Sequence, residues 1–194
     1  MFILKEENQR YIFKICLIGA GGVGKTCVCR RYCFNTFNAD TKLTVGIDFY
    51  TQDIPIVING KNSSIKLSIW DFGGQEHFKS LFRYYITGAN GIFLVFDLLQ
   101  MQSLINLDWW YDRLIEYKMV DRPKILIGTK LDLVEQESKQ FKIDELIIKE
   151  FLNNHDEKDF ITTSSRDNIN IQDIFKEMTK KIIDYHNLEY EKIL

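Results

Sequence analysis

The chain has 194 residues, with 25 Lys and Arg against 27 Asp and Glu and a formal charge of -2. Its 45% hydrophobic content supplies enough apolar surface for a packed core, which excludes a disordered chain. The charge balance excludes a generic basic nucleic-acid binder, and no run approaches the roughly 20 apolar residues of a membrane-spanning helix.

The length fits one domain over 1–194, with a core of about 10–187. The first residues, Met1-Phe2-Ile3-Leu4-Lys5-Glu6-Glu7, are too short and too acidic for a secretory signal. They also lack the glycine that myristoylation requires after the initiator Met. Residues 11–18 read as a buried first strand and 25–34 as a helix. Cys16, Cys27, Cys29 and Cys33 match no common zinc spacing, so free, buried or half-buried thiols in a reducing compartment are expected.

Residues 47–58 and 63–70 alternate as strands do, and Asn59-Gly60 between them is a hairpin signal. Residues 91–97 and 124–129 are nearly continuous apolar runs, the pattern of parallel strands covered on both faces. Ser103 reads as the N-cap of a helix presenting Leu104, Leu107, Trp110 or Tyr111, and Leu114 on one face. Trp109 and Trp110 are adjacent, so one of them should lie at the rim of the core. A helix over 143–153, a strand near 159–162 and a last helix over 171–187 complete the chain. Strand–helix alternation with one hairpin predicts a doubly wound α/β sheet with one antiparallel strand. Chemistry should then lie in the loops after residues 18, 70, 97, 129 and 162.

Gly19-Ala20-Gly21-Gly22-Val23-Gly24-Lys25-Thr26 has the spacing of a phosphate-binding loop between a strand and a helix. Glycines let successive N–H groups converge on a polyphosphate, and the helix adds its positive end. Gly21, Gly22, Val23, Gly24, Lys25, Thr26 and Cys27 are the expected phosphate contacts. Lys25 supplies a point charge, and Thr26 a hydroxyl for Mg²⁺. The strand over 63–70 runs into Asp71-Phe72-Gly73-Gly74-Gln75. Asp71 would face the same ion, Gly74 would offer its N–H to a terminal phosphate, and Gln75 would orient a water for in-line attack. The polar, aperiodic stretch from Asn35 to Gly46 has the length of a functional loop. Either Thr44 or Thr41 within it has a suitable hydroxyl for the metal.

Thr129-Lys130-Leu131-Asp132 follows the fifth strand. The Asp132 carboxylate can accept from guanine's N1–H and 2-amino groups together, a donor pair that adenine lacks. The Lys130 stem can cover the base. Thr163-Ser164-Ser165-Arg166, after the sixth strand, can offer a backbone N–H to guanine O6. Arg30 and Arg31 read as exposed helix arginines, so neither is expected to reach the phosphates. His77 reads as a surface histidine, and Trp70, Trp109 and Trp110 as packing.

Taken together, these stretches resemble the small GTPases of the Ras superfamily over about residues 10–187. Thr44-Val45-Gly46-Ile47-Asp48-Phe49 is similar to switch I of Rab proteins. Phe160 to Arg166 resembles the Rab and Ras Glu-Thr-Ser-Ala-Lys region. The resemblance implies a P-loop NTPase fold with a six-stranded, mostly parallel sheet. It implies GTP or GDP with Mg²⁺ held by Thr26, Thr44 and Asp71, and slow hydrolysis through Gln75. It places Phe37 edge-on against the guanine and Ser165 where the family's usual Ala presents its N–H, with Ser164 and Arg166 beside it. Thr129 stands where most of the family carries Asn, as in Rho-type proteins. Asp71-Phe72-Gly73-Gly74-Gln75 looks more like the Arf and fungal septation-type GTPases.

A GTPase-activating protein, an exchange factor and effectors are the partners implied, through switch regions 36–49 and 71–86. The tail from Asn187 to Leu194 carries no cysteine, so no lipid anchor is expected, and a cytoplasmic monomer would reach membranes through partners. The competing readings are a nucleotide-locked scaffold and a P-loop ATPase or kinase.

Overall fold

The computed structural model describes residues 11–39, 42–58, 60–75, 80–136 and 143–193. Thr41, Asn59 and His77 lie outside the described residues, as does the amino-terminal stretch 1–10.

The strands are β1 (Tyr11–Ile18), β2 (Ile47–Ile58), β3 (Lys61–Phe72), β4 (Gly91–Asp97), β5 (Lys124–Thr129), β6 (Phe160–Thr162) and β7 (Lys192–Ile193). The helices are α1 (Lys25–Phe34), α2 (Phe82–Ile86), α3 (Met101–Ile105), α4 (Leu107–Glu116), α5 (Leu131–Gln136), α6 (Glu145–Asn154) and α7 (Ile171–Tyr185). The sheet order is β6-β5-β4-β1-β3-β2-β7. Pairings are parallel from β6 through β3, and antiparallel for β3 with β2 and β2 with β7.

The α/β fold expected from the sequence is present, with seven strands among the described residues rather than six. The seventh forms because the tail folds back, pairing Lys192 with Val57 and Ile193 with Ile56. Its Ile193 is buried, with Leu188 and Tyr190 packed beside the same core. A two-residue strand has no periodicity to read, and only the open β2 edge supplies its partner. The first hairpin is tighter than its sequence pattern, because Ile58 pairs directly with Lys61 and β3 runs on to Phe72. Gly60 there takes a φ of 70°, which a two-residue turn of this kind requires.

One core lies on each face of the sheet. Val28, Cys29 and Tyr32 of α1 join α7 on one face, while α2, α3, α4 and α6 cover the other. Strands β4 and β5 are buried along their whole length, as unbroken apolar runs demand of central strands. Trp110 is fully buried in α4, and Trp109 sits partly buried at its edge in T-shaped contact with it.

Ser103 departs from the expected N-cap. It lies inside α3, and its hydroxyl accepts from the Asp97 amide at 2.9 Å and donates to the Gln100 carbonyl at 2.6 Å. The residue closes the turn leaving β4, because a short helix intervenes before α4. The last helix ends at Tyr185, two residues before the expected bound, and the 143–153 helix begins at Glu145 behind an Asp144 cap that accepts from the Leu146 amide.

All four cysteines are free thiols. Burial pushes the Cys16 thiol up to about 12 and that of Cys33 up to about 11, and burial foremost lifts Cys29 well above the ordinary value. Since the thiolate is the nucleophile, these three thiols are nearly inert at pH 8, and Cys33 gains reactivity only as the pH rises toward 11. Iodoacetamide at pH 8 should leave Cys16, Cys29 and Cys33 unmodified in the native protein and label them after denaturation. Native labelling of Cys16 or Cys29, read by peptide mass spectrometry, would contradict this packing.

Candidate functional site

Strand β1 pairs with β3 on one side and β4 on the other, so the sheet order reverses there and a crevice opens beyond its carboxyl end. Gly19 to Gly24 fill that crevice. A Cβ at Gly19 would lie 2.1 Å from the Val95 carbonyl oxygen, and the residue holds a φ of 144°. Only glycine passes so close to β4 in that conformation. Gly24, in the left-handed region, starts α1, so the positive end of this ten-residue helix faces the crevice.

Lys25, the first residue of α1, is buried, and its Nζ donates to the carbonyls of Gly19 at 2.8 Å and Ala20 at 2.6 Å. Burial pulls its ammonium down to about 8, against the upward pull of Asp71. An anion in the crevice would favour the charged form.

Thr26, Thr44 and Asp71 meet behind the loop. The Thr26 hydroxyl donates to Asp71 Oδ2 at 2.5 Å and lies 2.6 Å from the Thr44 hydroxyl oxygen. Asp71 is wholly buried near the end of β3, and burial raises its pKa while the Thr26 hydrogen bond and the Lys25 charge oppose the rise. Its Oδ1 is buried and has no hydrogen-bond partner among the described residues. An unmatched carboxylate oxygen beside two hydroxyls is an arrangement of hard donors that fits Mg²⁺.

The segment after β3 lies against the loop. A Cβ at Gly74 would sit 2.2 Å from the Gly19 carbonyl oxygen, so a side chain there would push the two backbones apart. Gly73 donates its amide to the Gly46 carbonyl at 2.9 Å, which joins the 36–49 and 71–86 regions. Gln75 is half-buried, and with Leu43 it is a near neighbour of Gly21.

At the other end, the buried Thr129 hydroxyl reaches the carbonyls of Val23 at 2.5 Å and Phe96 at 2.9 Å. Its side chain is therefore engaged in fastening the phosphate loop to β4 and β5. Lys130 Nζ pairs with Asp97 Oδ2 at 2.7 Å. Asp132 is buried at the start of α5, where Ser164 Oγ donates to its Oδ1 at 2.8 Å and Arg166 Nη1 stands 3.9 Å from its Oδ2. Leu131 donates its amide to the Thr163 carbonyl at 3.0 Å, which holds the two loops together.

A cavity of about 460 Å³ joins these parts. It is lined by Gly21, Gly22, Gly24, Lys25, Thr26, Cys27, Phe37, Thr44, Gly74, Gln75, Thr129, Lys130, Asp132, Ser165 and Arg166, all expected from the sequence. Val23, Asp71 and Ser164 are not on its wall. They are buried behind it: Val23 in the core, Asp71 against Thr26 and Ser164 against Asp132. Leu43 and Asp97 escaped the reading of the sequence. The first has no chemistry to flag it, and the second is legible only as an acid ending a buried strand.

Arg31 corrects an expectation outright. Arg30 is exposed, but Arg31 is half-buried and donates to the carbonyls of Ser165 at 2.6 Å, Arg166 at 3.1 Å and Asn35 at 3.0 Å. Adjacent helix positions point about 100° apart, so only one of the two arginines can turn toward the loop after β6.

The fold and this cavity define a phosphate-binding-loop protein whose loop opens at the turning point of a doubly wound sheet. The Ras family profile matches residues 14–184. The chain belongs to the Ras family of small GTPases. It is 33% identical over 177 residues to the GTP-binding protein YPT1 of Saccharomyces cerevisiae, covering 91% of this chain and 82% of that protein. It is 35% identical over 176 residues to the Ras-related protein Rab-8A of Bos taurus, covering 91% and 81%. To the GTP-binding protein ypt2 of Schizosaccharomyces pombe it is 34% identical over 193 residues, covering 95% and 90%. Ras-family GTPases bind GTP and GDP with Mg²⁺, hydrolyse GTP, and work through activating proteins, exchange factors and effectors.

Proposed function

We propose that this chain is a single GTP-binding unit that holds GTP or GDP with Mg²⁺ in the 460 Å³ cavity, hydrolyses GTP slowly, and serves as a switch in vesicle trafficking. One observation carries the reading: the Thr26, Thr44 and Asp71 oxygens converge at one end of the cavity and the Asp132 carboxylate lines the other. The first group suits a metal-bound triphosphate, and the second a purine with two adjacent donors. Bound Mg²⁺ would neutralise phosphate charge, with Thr26 and Thr44 as direct ligands and Asp71 acting through water.

Gly21 to Cys27 wrap the phosphates with their amides, and Lys25 places its charge on the outer ones. Gly74 offers its N–H to the terminal phosphate, and Gln75 accepts from and donates to the attacking water. Phe37 flanks the base, the Lys130 stem covers it, and the Ser165 amide meets O6. Hydrolysis would release Thr44 and Gly74 together, since the Gly73–Gly46 hydrogen bond couples their segments.

Leu43, Val45, Phe49, Leu81 and Tyr84 stand exposed within or beside these segments. Such an apolar surface is suited to an exchange factor, an activating protein and effectors that read the switch. Asp71-Phe72-Gly73-Gly74-Gln75, with its Arf-like extra glycine, would reset more freely than an alanine-bearing switch II. Among the described residues no helix is long and apolar enough to cross a membrane, and recruitment through partners to membranes from the cytoplasm fits the reading.

Nucleotide released by denaturing the purified protein should be GDP or GTP, and single-turnover hydrolysis with excess protein should run over minutes to hours. Rapid turnover by the isolated chain would remove the need for an activating partner. No phosphate release over a day would favour a nucleotide-locked scaffold. Equal competition by ATP would favour an ATPase or kinase.

A further inference from the structure

Arg31 lies outside the cavity wall, yet its guanidinium reaches the loop at the base end of the cavity. Its Nε donates to the Ser165 carbonyl at 2.6 Å and its Nη2 to the Arg166 carbonyl at 3.1 Å. Its Nη1 donates to both oxygens of Asn35, at 3.0 Å to the carbonyl and 3.1 Å to Oδ1. Asn35 ends α1 in the left-handed region, and its amide returns to the Arg31 carbonyl at 3.0 Å. Two residues further on is Phe37.

The loop after β6 is therefore held on both sides of one amide. The carbonyl preceding the Ser165 N–H belongs to Ser164 and accepts from the Ile169 amide at 2.9 Å. The carbonyl following it, that of Ser165, accepts from Arg31. The Ser164 carbonyl shares a peptide plane with the Ser165 N–H, so with that plane and the next one both tied down the N–H has little freedom to turn. Among the described residues that N–H meets no protein acceptor. We infer that Arg31 is a positioning residue for base recognition: its guanidinium fixes the Ser165 amide toward guanine O6 and pins the start of the Phe37-bearing segment to the same point. The inference rests on the assignment of Ser165 to O6 made above.

The planar fork is what the role needs. Two N–H groups in fixed geometry meet two successive carbonyls, and charge-assisted hydrogen bonds of this kind are the stronger class. A lysine would supply a point charge on a flexible stem, without the rigid spacing of a planar fork, and would fix the two carbonyls less firmly.

The test compares dissociation of GDP and 6-thio-GDP from the Mg²⁺-loaded full chain, chased with excess unlabelled GDP. The thio nucleotide keeps the N1–H and 2-amino donors that face Asp132 but replaces O6 with sulfur, a weak acceptor. The unaltered protein should release 6-thio-GDP faster than GDP. Arg31→Ala should speed GDP release by about tenfold or more and 6-thio-GDP release by much less, since the lost contact is already weak there. Arg31→Lys should fall between, and it keeps the measurement available if the alanine variant does not fold. A purely structural role would accelerate both nucleotides alike, and that outcome, or no acceleration, overturns the inference while leaving the Ser165 assignment intact. Equal release of the two nucleotides from the unaltered protein would overturn that assignment, and the inference with it.

Discussion

Asp132→Asn should lower the affinity for GTP by on the order of 10⁴-fold and transfer the preference to xanthosine triphosphate. In the proposed site the carboxylate would accept from two adjacent donors of guanine, and it is already aligned by Ser164 Oγ at 2.8 Å. An asparagine keeps one acceptor, which still takes N1–H, but aims an NH₂ group at the 2-amino group. Two donors then face each other in a buried setting, where an unpaired polar group is costly. Xanthine carries a carbonyl at that carbon, so the NH₂ gains an acceptor. Ser164 can still donate to the amide oxygen, so the aligning contact survives. Competition of GTP and xanthosine triphosphate against a labelled diphosphate measures both effects. Undiminished GTP binding would remove Asp132 from base recognition.

Gln75→Leu should slow GTP hydrolysis by about one to two orders of magnitude while leaving GTP and GDP affinity nearly unchanged. Gln75 borders the cavity beside Gly21, at the phosphate end. Leucine matches its size but neither donates nor accepts, so a water there loses its orientation and the nucleotide loses nothing. Neither Arg31, which is committed to the loop after β6, nor Arg166, which stands by Asp132, is placed to serve that end. Stimulation by an activating protein should fall at least as much as the intrinsic rate. Single-turnover phosphate release decides it, and a variant that hydrolyses at the unaltered rate would end the assignment.

Much of this site was legible because its signals are local. A glycine-rich turn between a buried strand and a helix, followed at set intervals by Asp-Phe-Gly-Gly-Gln and Thr-Lys-Leu-Asp, needs no tertiary information to be seen. Strands β4 and β5 announced themselves as unbroken apolar runs, since central strands cannot expose either face. The exceptions have a common cause. Ser103 looked like a helix cap because hydroxyls favour caps, yet its hydroxyl closes the turn after Asp97. The Thr129 hydroxyl bonds a carbonyl more than a hundred residues earlier in the chain. Arg31 reads as solvent-facing in sequence because the loop that receives it lies 134 positions away. The strand at Lys192 and Ile193 is too short to carry a pattern, and it exists only because β2 leaves an edge.

By itself, then, the order of residues determined the fold class, the phosphate-loop motif and the acid proposed to read the base, because backbone freedom, periodicity and donor chemistry act between near neighbours. Only folding in three dimensions decided which hydroxyls close on Asp71, which arginine turns inward, and what seals the sheet edge. Those outcomes depend on distances between segments far apart in the chain, and such distances are set when the two cores pack against the sheet.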